Sequence, residues 1–446
     1  MYDLVIIGGG PVGYRAAKRA ARLGASVCLI EKEDFGGVCL NKGCVPTKFL
    51  VNTAEVFSNI KRSTQFGIDV ENYALNIDKA HERKNSIIEK HRAAIERLFD
   101  KSKVKVIKGQ ATLKDKNTVT VLGEDIQTKY ILIATGSVPI ETASLKFDHK
   151  NIISSADILN LNEVPSSLII VGAGYIGCEF ACIYREFGSE VTLVELQPQI
   201  IPGQDIEIAK KLGQSMKKKG IKILLNTKIK SLTSENSKVE AILEDGQTLE
   251  AQKALLTIGR KPNIDKLGLK TAGVDTKDNA IVVNDKLQTN AENIYAAGDV
   301  IGGFCLAYTA FYEGDLVAEN IFGKAEPLDY GVVPSCIFTI PEIASVGLTA
   351  QQAKEQGNDV VVGSYPFMAS SKAHILNSTE GMVKLITDVK SNRILGAQIF
   401  GSDACELIHE LVVALGNNMT AKDLSHTLHA HPTLAESIQE AARSAT

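Results

Sequence analysis

Gly8-Gly9-Gly10-Pro11-Val12-Gly13 and Gly172-Ala173-Gly174-Tyr175-Ile176-Gly177 are the two stretches on which the fold turns. Each has the spacing G-x-G-x-x-G and follows an apolar run, Leu4 to Ile7 or Leu168 to Val171. Each opens a segment of helical periodicity that stops at a glycine, Gly24 or Gly188, as a helix C-cap requires. A second strand-like run follows in both, Val27-Cys28-Leu29-Ile30 and Val191-Thr192-Leu193-Val194, and each ends on an acid, Glu31 or Glu195. The copies stand 164 residues apart at Gly13/Gly177, at Gly24/Gly188 and at Glu31/Glu195. One such motif is a weak signal. Two glycine turns in unrelated α/β units would not keep that offset through turn, helix and strand.

The pattern is suited to binding a dinucleotide. Gly8, Gly10 and Gly13, like Gly172, Gly174 and Gly177, let a pyrophosphate approach the N–H groups at a helix N-terminus. Glu31 and Glu195 can accept hydrogen bonds from ribose hydroxyls. A carboxylate at Glu195 repels a 2′-phosphate, and the following Leu196-Gln197-Pro198-Gln199 offers no arginine, so NAD is expected over NADP. Two further strands run into glycine turns, Ile131-Leu132-Ile133-Ala134-Thr135-Gly136 and Ala254-Leu255-Leu256-Thr257-Ile258-Gly259. Asn293 to Asp299 has the same shape with an aspartate at its tip. That side chain either binds a sugar hydroxyl of the first nucleotide or is an ordinary turn aspartate.

At 446 residues the chain is too long for one ordinary domain, and two to four are expected. Its 44% hydrophobic and 23% charged content is that of a soluble globular protein. A net charge of −3 gives no reason to expect nucleic acid or an anionic membrane as partner, and no apolar run is long enough to span a bilayer. A strand follows Met1 almost at once, leaving no room for a leader, so a cytoplasmic location is expected. The eight scattered cysteines do not form a secreted disulfide framework.

Two of them lie in Gly36-Gly37-Val38-Cys39-Leu40-Asn41-Lys42-Gly43-Cys44-Val45-Pro46-Thr47-Lys48. On a regular helix a five-residue spacing puts Cα atoms about 8.6 Å apart, beyond the roughly 7 Å a disulfide tolerates. A bond between Cys39 and Cys44 therefore needs a distorted backbone, which Gly43 can absorb, and would be easily reduced. Lys48, one turn on, sets a positive charge where a thiolate benefits. The alternative is a pair of reduced structural thiols in a glycine-rich loop. Cys178 and Cys182, on the helix after the second glycine motif, read as small core residues.

Taken together, these segments closely resemble the pyridine nucleotide–disulfide oxidoreductases along essentially the whole chain. Thr135-Gly136, Gly259-Arg260-Lys261-Pro262-Asn263 and Gly298-Asp299 match the family in order. The resemblance is strongest to members that act on dihydrolipoamide. It implies FAD and NAD as cofactors, with Cys39 exchanging with substrate and Cys44 contacting the flavin. It also implies Lys48 near the flavin and paired with Glu179 beside the nicotinamide pocket, Lys48, Ala111, Leu306 and Ala307 on FAD, and Tyr175, Ile176, Glu179, Ile229 and Gly259 on NAD. In His429-Ala430-His431-Pro432-Thr433-Leu434-Ala435-Glu436, His431 would be the acid–base group oriented by Glu436. It would reach the partner's cysteines in a homodimer with a shared active site. Pro432 suits the first turn of a helix, which would put His431 at that helix's N-terminal edge. His426, His429 and His431 as a metal cluster is the competing reading, disfavoured because no carboxylate or cysteine completes a ligand spacing. A chain ending at Thr446 without a cysteine pair argues against the mercuric and large thioredoxin reductases.

The expected fold class is α/β, with two Rossmann-like dinucleotide-binding domains and a C-terminal α+β interface domain carrying an antiparallel sheet. The expected divisions are 1–145 and 266–322 for a discontinuous FAD domain, 146–265 for the NAD domain and 323–446 for the interface domain. The implied activity oxidises protein-bound dihydrolipoamide to lipoamide and reduces NAD. The implied partner is the lipoyl domain of a 2-oxoacid dehydrogenase or glycine cleavage type complex. An NADH-dependent reductase of another small disulfide, or a mainly structural subunit, are the alternatives.

Overall fold

The computed structural model describes residues 1–236 and 238–446. Strand Val27–Glu31 is buried along its whole length, as an apolar run in the middle of a parallel sheet must be. It pairs in parallel with Tyr2–Ile7 on one side and Lys105–Lys108 on the other. Tyr2–Ile7 in turn pairs in parallel with Glu124–Ile133, whose far side pairs in parallel with Ile294–Ala296 and antiparallel with Thr118–Val121. Helix Pro11–Arg22 leaves the first strand at the glycine turn and packs on helix Ala307–Phe322, with Arg15–Asp315 and Arg19–Glu319 ion pairs between them. Residues near 300 thus close a sheet begun at residue 2, and the first nucleotide-binding unit is discontinuous.

The second copy repeats the geometry. Ser167–Val171 lies between Glu190–Val194 and Lys253–Leu256, all parallel, with Lys222–Leu224 and Ile152–Ile153 at the edges. Helix Tyr175–Phe187 runs from its glycine turn to Gly188, whose φ of +112° is the left-handed C-cap. Cys178 and Cys182 are fully buried on that helix. The chain enters this unit beyond Ser137–Pro139 and returns through Arg260–Pro262, and those two segments pair as an antiparallel ribbon.

After helix Ala307–Phe322 comes a five-stranded, wholly antiparallel sheet ordered Pro334–Ile337, Glu342–Gly347, Ile394–Gly401, Met382–Asp388, Val360–Pro366. Helices Ala404–Gly416, Ala421–His426 and Glu436–Arg443 belong to the same unit, and residues of all three share its apolar core with the sheet. One expectation fails here. Pro432 does not open a helix: a turn at residues 434–435 intervenes, and the Thr433 hydroxyl donates back to the Ala430 carbonyl. The helix starts at Glu436, so the glutamate, not the proline, takes the first helical position. No described helix is long and apolar enough to cross a membrane.

Candidate active site

Cys39 sits on the short helix Gly37–Lys42 and Cys44 is the first residue of helix Cys44–Lys61. The break falls at Gly43, where a Cβ would lie 2.9 Å from the Val38 carbonyl oxygen. Breaking the helix there lets the two sulfurs meet. As free thiols the two hydrogen bond to each other. That bond, with Lys48 adding its charge, pulls the Cys44 thiol down to about 7 against the opposing effect of burial. Cys39 is pushed up, first by donating to Cys44 and then by burial. In the dithiol, therefore, the proton stays on Cys39, and Cys44 at a helix N-terminus is the thiolate.

Lys48 projects from the same helix, and its Nζ donates to both carboxylate oxygens of Glu179 at 2.9 and 2.8 Å. Glu179 is buried on helix Tyr175–Phe187 and also accepts the Phe338 N–H at 2.9 Å. The ammonium lies 4.6 Å above the centre of the Phe338 ring. One ion pair thus joins the first nucleotide unit, the second and the antiparallel-sheet unit beside the cysteines.

The two glycine turns have the same detailed construction. Gly8 and Gly172 have φ of +111° and +98°, and a Cβ would fall 2.2 and 2.5 Å from the carbonyl oxygens of Ala134 and Thr257. At Gly13 and Gly177 a Cβ would meet the Gly8 or Gly172 carbonyl at 1.8 or 2.0 Å. Gly10 and Gly174 face open space, with no heavy atom but the Gly37 Cα, at 3.7 Å from Gly10. Two glycines hold the turn tight, and one leaves room at the helix N-terminus for phosphate oxygens. The acids match as well. Glu31 accepts the N–H groups of Gly9 (2.6 Å) and Glu33 (2.7 Å), and Glu195 accepts those of Ala173 (2.6 Å) and Gln197 (2.8 Å). Each buried carboxylate is fixed beside its glycine turn with lone pairs remaining for ribose hydroxyls. Both donor sets fit a dinucleotide.

The other expected nucleotide residues fall around these turns. Ala111 starts strand Ala111–Asp115 just beyond Gly109, whose N–H donates to the Glu31 carbonyl at 2.9 Å. Ile229 likewise starts a strand just beyond Thr227, whose N–H donates to the Glu195 carbonyl at 2.9 Å. Thr135 and Gly136 are braced by Asn263, which receives the Thr135 hydroxyl on its carbonyl at 2.8 Å. Asp299 lies in the 3₁₀ turn Gly298–Ile301 and accepts the Ser137 hydroxyl. Leu306 is the extended residue before helix Ala307–Phe322, and Ala307 is that helix's first residue. Tyr175 and Ile176 open helix Tyr175–Phe187, with the Tyr175 side chain half-exposed, while Gly259 has φ of +126°.

Sequence reasoning overlooked the groups that hold these residues. Arg260 donates to the Ser137 hydroxyl (2.8 Å) and carbonyl (2.7 Å), so an Arg260–Ser137–Asp299 chain spans the ribbon between the two units. Arg260 was visible inside a recognisable motif but had no partner until Ser137 was brought to it. Glu313 receives the Gly298 N–H at 2.6 Å, and Phe338 props the Lys48–Glu179 pair. Neither carries a local sequence signal.

His431 and Glu436 form a separate cluster. His431 Nδ1 meets Glu436 Oε1 at 2.8 Å, and the other carboxylate oxygen accepts the Thr433 N–H at 2.8 Å. The Thr433 amide foremost, then His431, holds the Glu436 carboxyl below its ordinary value. The ring is 70% exposed and makes no hydrogen bond to Cys39 or Cys44 of its own chain. His429 turns the other way, its side chain buried and its Nε2 2.8 Å from Glu410 Oε1. The histidines therefore do not converge, and no group of three or more metal-ligating side chains occurs among the described residues.

Comparison with known proteins places this architecture in a class. The family model for pyridine nucleotide-disulphide oxidoreductases matches residues 2–314, and the model for that family's dimerisation domain matches residues 333–442. The chain belongs to the pyridine nucleotide–disulphide oxidoreductases. Among curated proteins it is similar to a dihydrolipoyl dehydrogenase of Bacillus subtilis (strain 168), 41% identical over 99% of this chain and 95% of the relative. It is also similar to that of Geobacillus stearothermophilus, 40% identical with the same coverage. Among solved structures it superposes on LpdA from Mycobacterium tuberculosis with a TM-score of 0.92 at 29% identity, covering 99% of this chain and 98% of that one. The HOCl-induced flavoprotein disulfide reductase RclA from Escherichia coli gives 0.91 at 30%, covering 99% of each.

Proposed function

We propose that this chain oxidises dihydrolipoamide to lipoamide and reduces NAD, using FAD and the Cys39–Cys44 pair. The observation that carries this reading is the junction of a low-pKa Cys44, the Lys48–Glu179 pair and two glycine turns in one molecule. Identity of 40–41% to dihydrolipoyl dehydrogenases over nearly the whole chain favours that substrate over the disulfide substrates of the 30% identical reductase.

FAD is assigned to the turn Gly8–Gly13 with Glu31, Lys48, Ala111, Thr135, Gly136, Asp299, Leu306 and Ala307. NAD is assigned to Gly172–Gly177 with Glu179, Glu195, Ile229 and Gly259. Bound FAD supplies the two-electron connection between the dithiol and the nicotinamide. His431 takes a proton from a dihydrolipoamide thiol. Its Nδ1–H is held on Glu436, which leaves Nε2 as the base. The substrate thiolate attacks Cys39 Sγ, forming a mixed disulfide as the Cys39–Cys44 bond breaks, and Cys44 departs as the thiolate. The second substrate thiol then displaces Cys39, which leaves with a proton, and lipoamide closes its ring. Lys48 stabilises the departing Cys44 charge. His431 is assigned to the cysteines of the partner subunit in a homodimer, and the protein-borne substrate to a lipoyl domain of a 2-oxoacid dehydrogenase or glycine cleavage type complex. The test is steady-state turnover of the purified flavoprotein. Dihydrolipoamide with NAD should give kcat/KM at least about a hundredfold above NADH with glutathione disulfide or cystine. A preference for either of those disulfides would reject the substrate assignment.

A further inference from the structure

A second pair of thiols lies in the antiparallel-sheet unit, at residues the proposed reaction does not use. Cys336 is on strand Pro334–Ile337, at the edge of the antiparallel sheet, and Cys405 is near the start of helix Ala404–Gly416, 69 residues later. Cys336 Sγ is 3.9 Å from the Cys405 carbonyl oxygen, and the two thiols hydrogen bond to each other. Cys405 is buried, whereas Cys336 is partly open. A carboxylate completes the group: Glu342 accepts the Cys405 N–H at 2.9 Å and also hydrogen bonds the Cys405 thiol.

The two sulfurs are chemically unequal. The hydrogen bond from Cys405 lowers the Cys336 thiol, with Lys48 adding a smaller pull in the same direction, whereas donating that bond, and burial, raise Cys405. Burial foremost, and the carboxylates of Glu55 and Asp403, lift Glu342 to about 6. That places a proton acceptor of moderate strength against the buried thiol. A partly open nucleophile, a buried partner and an adjacent base are the three parts of a dithiol that oxidises in two steps.

We propose that Cys336 and Cys405 form a second redox-active pair, oxidised to a disulfide by small peroxides. The Cys336 thiolate attacks hydrogen peroxide, the O–O bond breaks, and one oxygen leaves as water after protonation. The other oxygen remains on Cys336 as sulfenic acid. Cys405, giving its proton to Glu342, attacks the Cys336 sulfur; the S–O bond breaks and the second oxygen leaves as water. In sum, two thiols and one peroxide give one disulfide and two waters. The pair is placed to affect the main site. Strand Pro334–Ile337 is held at one end by the Tyr308 hydroxyl on the Pro334 carbonyl. At the other end it runs into Phe338, whose N–H and ring support Glu179 and Lys48. Tying the strand to the helix therefore constrains the segment that props that ion pair, and turnover should fall until a reductant opens the bond.

The test treats the FAD-loaded protein with stoichiometric hydrogen peroxide, quenches by alkylation and maps peptides without reduction. The expected result is a Cys336 peptide joined to a Cys405 peptide, lighter by two hydrogens, that dithiothreitol separates. The joined species should be lost in Cys336→Ser and in Cys405→Ser, and both variants should keep the untreated turnover while resisting peroxide several-fold better than the parent. Peptide mapping of the unmutated protein decides the chemistry whatever its substrate proves to be, so it is independent of the dihydrolipoamide assignment. Recovery of both cysteines as separately alkylated thiols, or of Cys336 joined only to Cys39 or Cys44, would overturn the proposal.

Discussion

At the scale of single residues, the site works by making two neighbouring thiols unequal. Cys44 is held at about 7 by the Cys39 hydrogen bond and the Lys48 charge, so its thiolate is present above that pH and lost as pH falls through it. Lys48→Ala removes a charge that favours the thiolate, and the Cys44 titration must then move upward. The expected outcome is a turnover profile whose acidic limb shifts to higher pH, with about three- to tenfold loss at neutral pH. Iodoacetamide labelling of the reduced protein against pH reads the same titration directly. An unmoved profile would mean that Lys48 acts on Cys44 only through packing. The substitution also leaves Glu179 buried without its cation, so the melting temperature should be followed alongside.

At the scale of elements, strand–turn–helix units carry the nucleotides. A Cβ at Gly177 would lie 2.0 Å from the Gly172 carbonyl and 2.9 Å from the Thr257 hydroxyl. Gly177→Ala must therefore push the helix N-terminus off its strand, at a cost of about 1–3 kcal/mol. The KM for NAD should rise about tenfold or more while the protein stays yellow, because the turn assigned to FAD is a different element. Release of flavin with NAD affinity intact would reverse the assignment of the two turns. These turns were the most legible part of the sequence, because close backbone approach admits only glycine and so leaves a mark in the letters. The break between Cys39 and Cys44 was legible for a similar reason, since five-residue spacing on an unbroken helix keeps the sulfurs apart. The start of the last helix was misread. Pro432 is compatible with a first turn, but local propensity cannot reveal that a turn at residues 434–435 intervenes and that the helix begins at Glu436.

At the scale of the molecule, function depends on contacts that sequence spacing cannot encode. Glu179 is joined to Lys48 across 131 residues and to Phe338 across 159, and Asp299 to Ser137 across 162. The acid pairs were visible as residue types; the backbone amide of Phe338 and the Arg260–Ser137 brace were not, since nothing local marks them. The exposed His431 ring, which makes no hydrogen bond to its own chain's cysteines, makes a shared active site testable by mixing subunits. A Cys39→Ser/Cys44→Ser chain and a His431→Gln chain should each be nearly inactive as homodimers. A hybrid of the two contains one complete site only if histidine and cysteines come from different chains. Co-expressed hybrids should recover on the order of half the parental activity per dimer. Hybrids as inactive as their parents would place His431 in the site of its own chain.

The central claim is that electrons pass from dihydrolipoamide through Cys39 and Cys44 to the flavin and on to NAD. It is tested most directly by anaerobic titration of the FAD-loaded protein with dihydrolipoamide, followed by NAD, recording the visible spectrum throughout. A long-wavelength absorbance band on adding the dithiol, followed by NADH formation on adding NAD, is the predicted result, and Cys44→Ser should lack the band. A band raised by NADH but not by dihydrolipoamide would contradict the substrate; no band with either reductant would contradict the disulfide mechanism itself.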